Sequence, residues 1–166
     1  MICDMTELMR EIVSDEGRSH RRFLGANGRW IIGIGHNLHG QQLPRVIWRA
    51  IETANPHVSN ALLDDHVTLS DELVDRIFAN DVTDAMAALY RVWPQWDRLS
   101  EPRKRAIVNL SFQVDIETLR RLKGFWAAMR DHDFARAAEY LRDSLWFRQA
   151  RPNRASRVIR QIREGG

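Results

Sequence analysis

A single long amphipathic helix constrains the fold of this chain more than any other feature. Over about residues 70–91, apolar side chains recur near one face at helical spacing, and Pro94 ends the pattern. Ser70 is a suitable N-cap, since its hydroxyl can accept a hydrogen bond from the first turn. The sequences before and after this helix differ in kind, so we expect it to connect two lobes. The recurring apolar residues are Leu73, Ile77, Val82, Met86 and Leu89.

The segment before the long helix predicts a small α+β lobe over about residues 17–69. The stretches RRFL and RWIIGIGH alternate as β-strands do, and Asn27-Gly28 is a turn signal between them. We therefore expect a β-hairpin in this lobe, built from two strands joined by a tight turn.

The rest of the chain predicts a helical lobe made of residues 92–166 together with a first helix over about residues 5–15. Asp4 and Glu7 have the spacing of a capping box for that first helix. The later segments with helical spacing are 101–114, 117–122, 125–131, 134–147 and 153–164. The sequence thus predicts one domain over residues 1–166, with a mostly helical α+β fold and a cleft between its lobes.

Composition and charge limit the class of protein. The one cysteine, Cys3, excludes an internal disulfide. No apolar run is long enough for a signal-peptide core or a membrane span. Residues 117–166 hold 12 Lys and Arg against 6 Asp and Glu, although the net charge of the whole chain is only +3. This basic end indicates either an anionic partner or a solvated, Arg-rich helical surface.

Glu16 is the candidate catalytic residue. It continues the apolar stripe of the first helix, whereas Asp15 is off that stripe and is expected to face water. A carboxyl at the edge of a buried face is partly desolvated, and it also lies at the negative end of the helix dipole. Both conditions favour the protonated form that a general acid needs. The alternative is a Glu that pairs with an Arg at the end of a helix, and the two are compatible.

The strand WIIGIGH carries two glycines that need an explanation. If the strand is regular, Ile31, Gly33 and Gly35 share one face. Two glycines on one face weaken a strand, but they allow another backbone or a ligand to come close. Close packing of a helix on the sheet would explain them equally well.

Four ordered blocks carry a resemblance that covers nearly the whole chain. They are DEG after the first helix, GRWIIGIGH in the hairpin, NLSFQV in the helical lobe and SLWFRQARPNRASRV near the end. In these blocks the chain resembles the phage-type lysozymes, the family of the T-even phage endolysin. The resemblance implies the same two-lobed fold. It also implies cleavage of the bond between N-acetylmuramic acid and N-acetylglucosamine in bacterial peptidoglycan.

The resemblance also implies roles for individual residues. It makes Glu16 the general acid and Arg154 the arginine that pairs with it. It makes His36 and Asp81 an ion pair that stabilises the small lobe without taking part in the chemistry. The remaining implied residues are Asn37, Phe112 and Tyr140 for saccharide binding, with Tyr140 departing from the usual residue type, and Gly33, Gly35, Gln113 and Trp146 for the structure of the cleft.

Two members of the family's catalytic set are replaced in this chain. The family has an Asp nine residues after the catalytic Glu, where this chain has Gly25, and a Thr fifteen residues after it, where this chain has Ile31. An inverting hydrolysis needs a base or an oriented water on the face opposite the acid. Neither Gly nor Ile can supply it.

Three functions therefore remain open. The first is a muramidase in which another group assists the water, with Asp115 as the first candidate and Asn27 as a weaker one. The second is a lytic transglycosylase, in which the C6 hydroxyl of the sugar attacks and a single Glu is enough. The third is a peptidoglycan-binding module without catalysis, since the loss of two catalytic groups costs orders of magnitude in rate.

The sequence predicts no cofactor and no metal site. His36 and His39 are three residues apart but lack a further cluster of ligands. No nucleic-acid recognition motif is present either. We expect a monomer without a membrane anchor, whose partner is the glycan strand of peptidoglycan. We also expect synthesis in the host cytoplasm without a signal peptide, and action on the wall after release, either through a holin or as part of a virion.

Overall fold

The structure, a computed structural model, describes residues 4–25, 28–40, 42–58 and 63–165. Its fold is α+β and mostly helical with a small antiparallel sheet, which confirms the predicted fold class. Cys3 and Asn27 lie outside the described residues. The strands are β1 (Ser19–Leu24), β2 (Trp30–Gly33) and β3 (His36–Asn37). The helices are α1 (Met5–Glu16), α2 (Arg45–Ala54), α3 (Asp71–Val92), α4 (Glu101–Ser111), α5 (Ile116–Arg120), α6 (Lys123–Arg130), α7 (Phe134–Arg142), α8 (Leu145–Gln149) and α9 (Pro152–Glu164).

The chain forms two compact units, one made of Glu11–Asp84 and the other made of Met1–Arg10 with Ala85–Gly166. The long helix that the sequence predicts is present as α3, which contributes residues to both units. Its predicted cap is confirmed, because the Ser70 hydroxyl accepts a hydrogen bond from the Leu73 N–H at 3.2 Å.

The sheet lies in the unit Glu11–Asp84 and has the strand order β1-β2-β3. The prediction of one continuous strand through RWIIGIGH is wrong. The chain turns between β2 and β3, where Gly33 and Gly35 have φ angles of 65° and 80°. Glycine adopts such angles at little cost, whereas residues with a Cβ atom are strained there. Gly35 therefore does not share a strand face with Ile31.

Helix α1 buries the apolar stripe that the sequence predicts, but the buried face also includes Asp15. Leu8 and Ile12 are fully buried and Asp15 is only 6% exposed, so these three residues mark the centre of the buried face. The prediction that Asp15 faces water is wrong, because positions 8, 12 and 15 follow the helical repeat of about 3.6 residues. Glu16 lies at the edge of this face and is half-buried.

The N-terminus of α1 is capped by one half of the predicted capping box. The Asp4 carboxylate accepts hydrogen bonds from the N–H groups of Thr6 and Glu7, each at 3.1 Å. The Asp4 N–H donates to the Glu101 carboxylate at 2.9 Å, and the Glu7 carboxylate pairs with Arg10. In a complete capping box the Glu7 carboxylate would accept from the Asp4 N–H. Here Glu101 of α4 accepts that hydrogen bond instead.

The helical unit, by which we mean Met1–Arg10 with Ala85–Gly166, differs from the prediction. At one point the sequence predicts one helix where the structure has two. The helix predicted over 134–147 is interrupted between α7 and α8, so this prediction is wrong. The break occurs because the Ser144 hydroxyl accepts a hydrogen bond from the Phe147 N–H at 3.3 Å and begins a new helix. Helix α4 also ends at Ser111 rather than at residue 114. Fully buried core residues of this unit include Ile107, Phe125, Met129, Leu141, Val158 and Ile162.

Candidate active site

Glu16, the predicted general acid, is the last residue of α1. The helix stops because Gly17 adopts a left-handed φ of 81° and donates its N–H to the Val13 carbonyl at 2.8 Å. The Glu16 side chain lies against Gly35, where an added Cβ atom would be 3.4 Å from the Glu16 Cγ. A Cβ atom at residue 35 would meet the stem of Glu16 at ordinary contact distance, but the φ of 80° would strain the backbone of a residue other than glycine.

Arg18 anchors the chain just after α1 to the first turn of α3. Its Nε donates to the Asp71 Oδ1 at 3.0 Å and its Nη2 donates to the Asp75 Oδ1 at 2.8 Å. His20 Nε2 lies 3.0 Å from the same Asp71 oxygen. The hydrogen bonds from His20 and Arg18 hold the pKa of Asp71 below its usual range. This network restrains the segment that follows Glu16.

His36 and Asp81 form a buried pair between β3 and α3. His36 Nδ1 lies 2.9 Å from each carboxylate oxygen of Asp81, and the two residues are 1% and 4% exposed. His36 Nε2 is buried without a hydrogen-bond partner among the residues that the structure describes. We therefore assign the proton to Nδ1, where it has an acceptor. Burial raises the pKa of the Asp81 carboxyl, and the hydrogen bond from His36 opposes that effect.

Gly25 and Ile31, which the resemblance aligns with the family's Asp and Thr, both lie in the hairpin. The Gly25 N–H donates to the Arg29 carbonyl at 2.9 Å, and the Gly25 carbonyl accepts from the Gly28 N–H at 2.9 Å. Ile31 lies in β2 opposite Phe23 on one side and Asn37 on the other. Neither residue carries a polar side chain that could orient a water molecule, so neither replaces the missing catalytic group.

The three residues implied in saccharide binding lie in different elements. Asn37 is in β3 and its Oδ1 accepts a hydrogen bond from the His39 N–H at 3.0 Å. Phe112 follows the last residue of α4 and is half-buried. Tyr140 in α7 is 40% exposed, and its ring lies over Gly124, where an added Cβ would be 2.5 Å from the Tyr140 Cε1. Their part in binding a sugar stays a prediction.

Arg154, the predicted partner of the acid, is held by α4. It is 2% exposed, its Nε donates to the Asn109 Oδ1 at 2.7 Å, and its Nη2 donates to the Asn109 carbonyl at 3.1 Å. Asn109 is itself fully buried and was missed by the sequence analysis. One sequence feature points to Asn109, because it is a polar amide within the apolar run AIVNL of a predicted helix.

Trp146 and Gln113 are also brought together. The Trp146 indole N–H donates to the Gln113 Oε1 at 2.6 Å and so ties α8 to the segment after α4. Glu16 and Arg154, in contrast, belong to different units of the chain. Their pairing, like the cleft between the lobes, stays a prediction.

Asp115, the first candidate for a second catalytic carboxylate, is a helix cap. Its side chain accepts hydrogen bonds from the Thr118 N–H at 2.8 Å and from the Thr118 hydroxyl at 2.7 Å. These two hydrogen bonds hold the pKa of Asp115 below its usual range. A carboxylate with a lowered pKa is a weaker base, so its contacts account for Asp115 without catalysis.

The structure also bears on metals and membranes. Among the described residues, no group of three or more His, Cys, Asp and Glu side chains is arranged to hold a metal ion. No helix in that part of the chain combines the length and the apolar character needed to cross a bilayer.

Comparisons with known proteins find relatives along almost the whole chain. The chain is 27% identical over 164 residues to the pre-baseplate central spike protein of Enterobacteria phage T4, a match that covers 97% of this chain and 28% of that protein. It is 24% and 23% identical to probable T4-type lysozymes 1 and 2 of Dictyostelium discoideum, over 154 residues that cover 91% of this chain and 90% of each relative. No protein-family model matches the chain.

The chain is therefore a relative of the phage-type lysozymes. The resemblance predicted from the four sequence blocks is confirmed by these matches. The chain spans little more than a quarter of the phage spike protein but nearly the full length of the T4-type lysozymes. Because the matches to the T4-type lysozymes cover 91% of this chain, they include residues of both compact units.

Replacing Asp81 by Ala in this lysozyme relative should lower the free energy of unfolding by about 3 kcal/mol. The physical reason is that the buried His36 Nδ1–H would lose its acceptor. Asp81→Asn keeps an acceptor oxygen and should cost clearly less. Asp84→Ala, an exposed position one turn along α3, serves as the control and should change the free energy by no more than about 0.5 kcal/mol. Equal losses for Asp81→Ala and Asp84→Ala in urea denaturation would contradict the structural role of the pair.

Proposed function

We propose that this protein cleaves the bond between N-acetylmuramic acid and N-acetylglucosamine in bacterial peptidoglycan, with Glu16 as the general acid. The observation that carries the proposal is the placement of Glu16 at the end of α1, with its stem against Gly35 and its position at the edge of the buried face. The relatives named T4-type lysozymes support the substrate class.

Cleavage begins with proton transfer from the Glu16 carboxylic acid to the oxygen that bridges the two sugars. The bond between that oxygen and C1 then breaks, and the electron pair leaves with the oxygen, so that C1 gains oxocarbenium character. Glu16 is half-buried rather than enclosed, so a sugar can reach it, while the contact with Gly35 limits the positions open to its stem. A positioned acid of this kind contributes about 10²–10⁴-fold to the rate.

Hydrolysis is completed when a water molecule adds to C1. The water loses one proton to solvent, and the Glu16 carboxylate regains a proton from solvent, which restores the enzyme. In the absence of a side-chain base at residues 25 and 31, we expect this step to be slower than in an enzyme with the full catalytic set.

A second candidate reaction is transglycosylation, and the replacement of both catalytic partners favours it. The C6 hydroxyl of the muramic sugar adds to its own C1, its proton passes to the Glu16 carboxylate, and an anhydro sugar end results. This reaction needs no oriented water, so Gly25 and Ile31 would not hinder it. The assignment of Asp115 as a helix cap favours it too, since the cap removes the first candidate for a base.

We further propose that the protein acts on the cell wall after release from the cytoplasm in which it is made. The phage T4 relative is named a pre-baseplate central spike protein, and this name supports a virion-borne route over a holin-dependent one. A monomer is sufficient for the proposed chemistry, since Glu16 is the one catalytic residue that it requires.

Glu16→Gln should reduce the release of soluble fragments from purified peptidoglycan by at least about a hundredfold, because an amide cannot donate the proton. Glu72→Gln makes the same chemical change at an exposed position of α3 and should leave the rate within about twofold. Mass spectrometry of the fragments identifies the reaction of the unchanged protein. Reducing muramic ends mean hydrolysis, and anhydro ends mean transglycosylation. The proposal fails if Glu16→Gln cuts as fast as the unchanged protein, or if the protein sediments with the wall and releases nothing.

Restoring the two replaced residues, Gly25→Asp with Ile31→Thr, should raise the yield of reducing ends. The aspartate would supply the missing carboxylate and the threonine a hydroxyl for the water. Gly25 acts in the turn through its backbone alone, and Thr is well suited to a strand, so both changes should be accepted. Gly25→Asn with Ile31→Val is the matched control without the charge and the hydroxyl. If the yield of reducing ends rises equally in both double variants, the missing carboxylate and hydroxyl do not limit hydrolysis.

A further inference from the structure

The helical unit contains a basic pocket, which we define by Arg91, Val92, Arg120, Lys123, Trp126 and Arg130. Its volume is about 390 Å³, which is large enough for a ligand of several heavy atoms. Four of its six residues are cationic and none is acidic. The pocket lies wholly within the unit that contains Ala85–Gly166 and does not include Glu16 or the other residues of the candidate active site.

Among the described residues, three of the four cations in the basic pocket have no protein counter-charge. In the part of the chain that the structure describes, the side chains of Arg91, Lys123 and Arg130 form no ion pair and no hydrogen bond, whereas Arg120 pairs with Glu117 at 3.1 Å. Cations gathered in one concave site repel one another and raise the local concentration of anions. The pocket therefore carries a positive charge that an anionic ligand would neutralise.

Helix stability explains some of these cations but not Lys123. Arg91, Arg120 and Arg130 lie in the last turns of α3, α5 and α6, where the helix dipole favours positive charge. Lys123 is the first residue of α6, where the dipole disfavours positive charge. The positive charge of Lys123 therefore destabilises the start of α6. Among the described residues, Lys123 forms no ion pair that would offset this cost.

Trp126 gives the pocket a rigid wall. It is 5% exposed, and its indole N–H donates to the Leu119 carbonyl at 2.8 Å. Its ring stacks on Trp93 with centroids 5.6 Å apart and meets the edge of Phe125 at 4.8 Å. The pocket therefore has a preformed wall beside its cations, which lowers the ordering cost of binding.

The spacing of the cations indicates a ligand with more than one anionic group. Lys123 and Arg130 are seven residues apart on α6, which places their backbones about 10 Å apart along the helix and on nearly the same face. A phosphate group carries more negative charge than a carboxylate and presents its oxygens in several directions, whereas the two oxygens of a carboxylate lie in one plane. The arrangement therefore fits repeated phosphates better than a single carboxylate.

We propose that the basic pocket binds the phosphate groups of a phosphate-bearing polymer attached to bacterial peptidoglycan. The choice of a wall polymer rests on the proposed function, and the choice of phosphate rests on the pocket alone. Binding there would hold the protein on the wall through a surface that is separate from the candidate active site, and so would raise the local concentration of glycan strands.

The pocket is tested by calorimetric titration of the Glu16→Gln protein with inorganic tripolyphosphate at low salt. The variant Arg91→Gln/Lys123→Gln/Arg130→Gln should bind about tenfold more weakly, since three charges leave the pocket. The control Arg45→Gln/Arg49→Gln/Arg98→Gln removes the same charge from exposed positions outside the pocket and should bind within about twofold of the parent. Glu117→Gln frees Arg120 and should tighten binding by about twofold.

Two outcomes of this titration would overturn the site. If both triple variants lose the same affinity for tripolyphosphate, binding responds to net charge alone. If neither variant loses affinity, phosphate binds elsewhere. Tricarballylate, which carries three carboxylates, should bind more weakly than tripolyphosphate. Equal or tighter binding of tricarballylate would refute the choice of phosphate. None of these readouts requires cleavage of peptidoglycan, so they stand apart from the test of Glu16.

The source of the phosphate is tested by sedimentation with insoluble wall. Wall that retains its phosphate polymer should hold the Glu16→Gln protein better than wall from which mild acid has removed that polymer, and the triple pocket variant should lose this difference. Binding to two other phosphate-bearing partners is measured for comparison. One is double-stranded DNA, and the other is vesicles rich in anionic phospholipid. If either of them binds in a pocket-dependent way while retention by the wall does not change, the wall polymer is the wrong partner.

Discussion

The close approach of Glu16 to Gly35 is the contact on which the rest of the account depends. A Cβ atom at residue 35 would be 3.4 Å from the Glu16 Cγ, and the backbone of Gly35 is left-handed. The left-handed backbone of residue 35 therefore favours glycine in the turn between β2 and β3, and this turn lies against the stem of Glu16. The same turn leads into β3, where His36 pairs with Asp81 of α3. One short segment thus contacts the stem of Glu16 and joins the sheet to the long helix.

The hairpin gives structural roles to both residues that the resemblance aligns with the family's Asp and Thr. Gly25 gives both of its backbone groups to the turn, and Ile31 is paired on both sides within the sheet. The two residues take part in the hairpin and the sheet, and neither has a polar side chain that could orient a water molecule. Asp115 has a structural use of its own as the cap of α5. What remains for the proposed chemistry is one acid, and the reaction must proceed with that acid alone or with a nucleophile from the substrate.

Sequence patterns were sufficient where a local rule decides the structure. The 3.6-residue repeat predicted α1 and α3, and the capping chemistry of Ser70 predicted where α3 begins. Sequence patterns failed where a tertiary contact or a single hydrogen bond determines the local structure. Asp15 is buried because the stripe of α1 is centred on Leu8 and Ile12, which only the packing reveals. Ser144 splits a helix that its flanking sequence would continue, and Asn109 gains its importance from Arg154, which is 45 residues away in the chain.

The central claim is that one carboxylic acid carries the reaction, and the pH dependence of kcat/KM tests it most directly. This dependence reports the ionisable groups of the free enzyme that must be in a given protonation state. With Glu16 as the one essential group and acting as an acid, kcat/KM should fall with rising pH and should stay level on the acid side, wherever circular dichroism shows the protein to be folded. A bell-shaped profile, with a second loss of rate at low pH that is absent from the unfolding curve, would reveal an essential base and contradict the account.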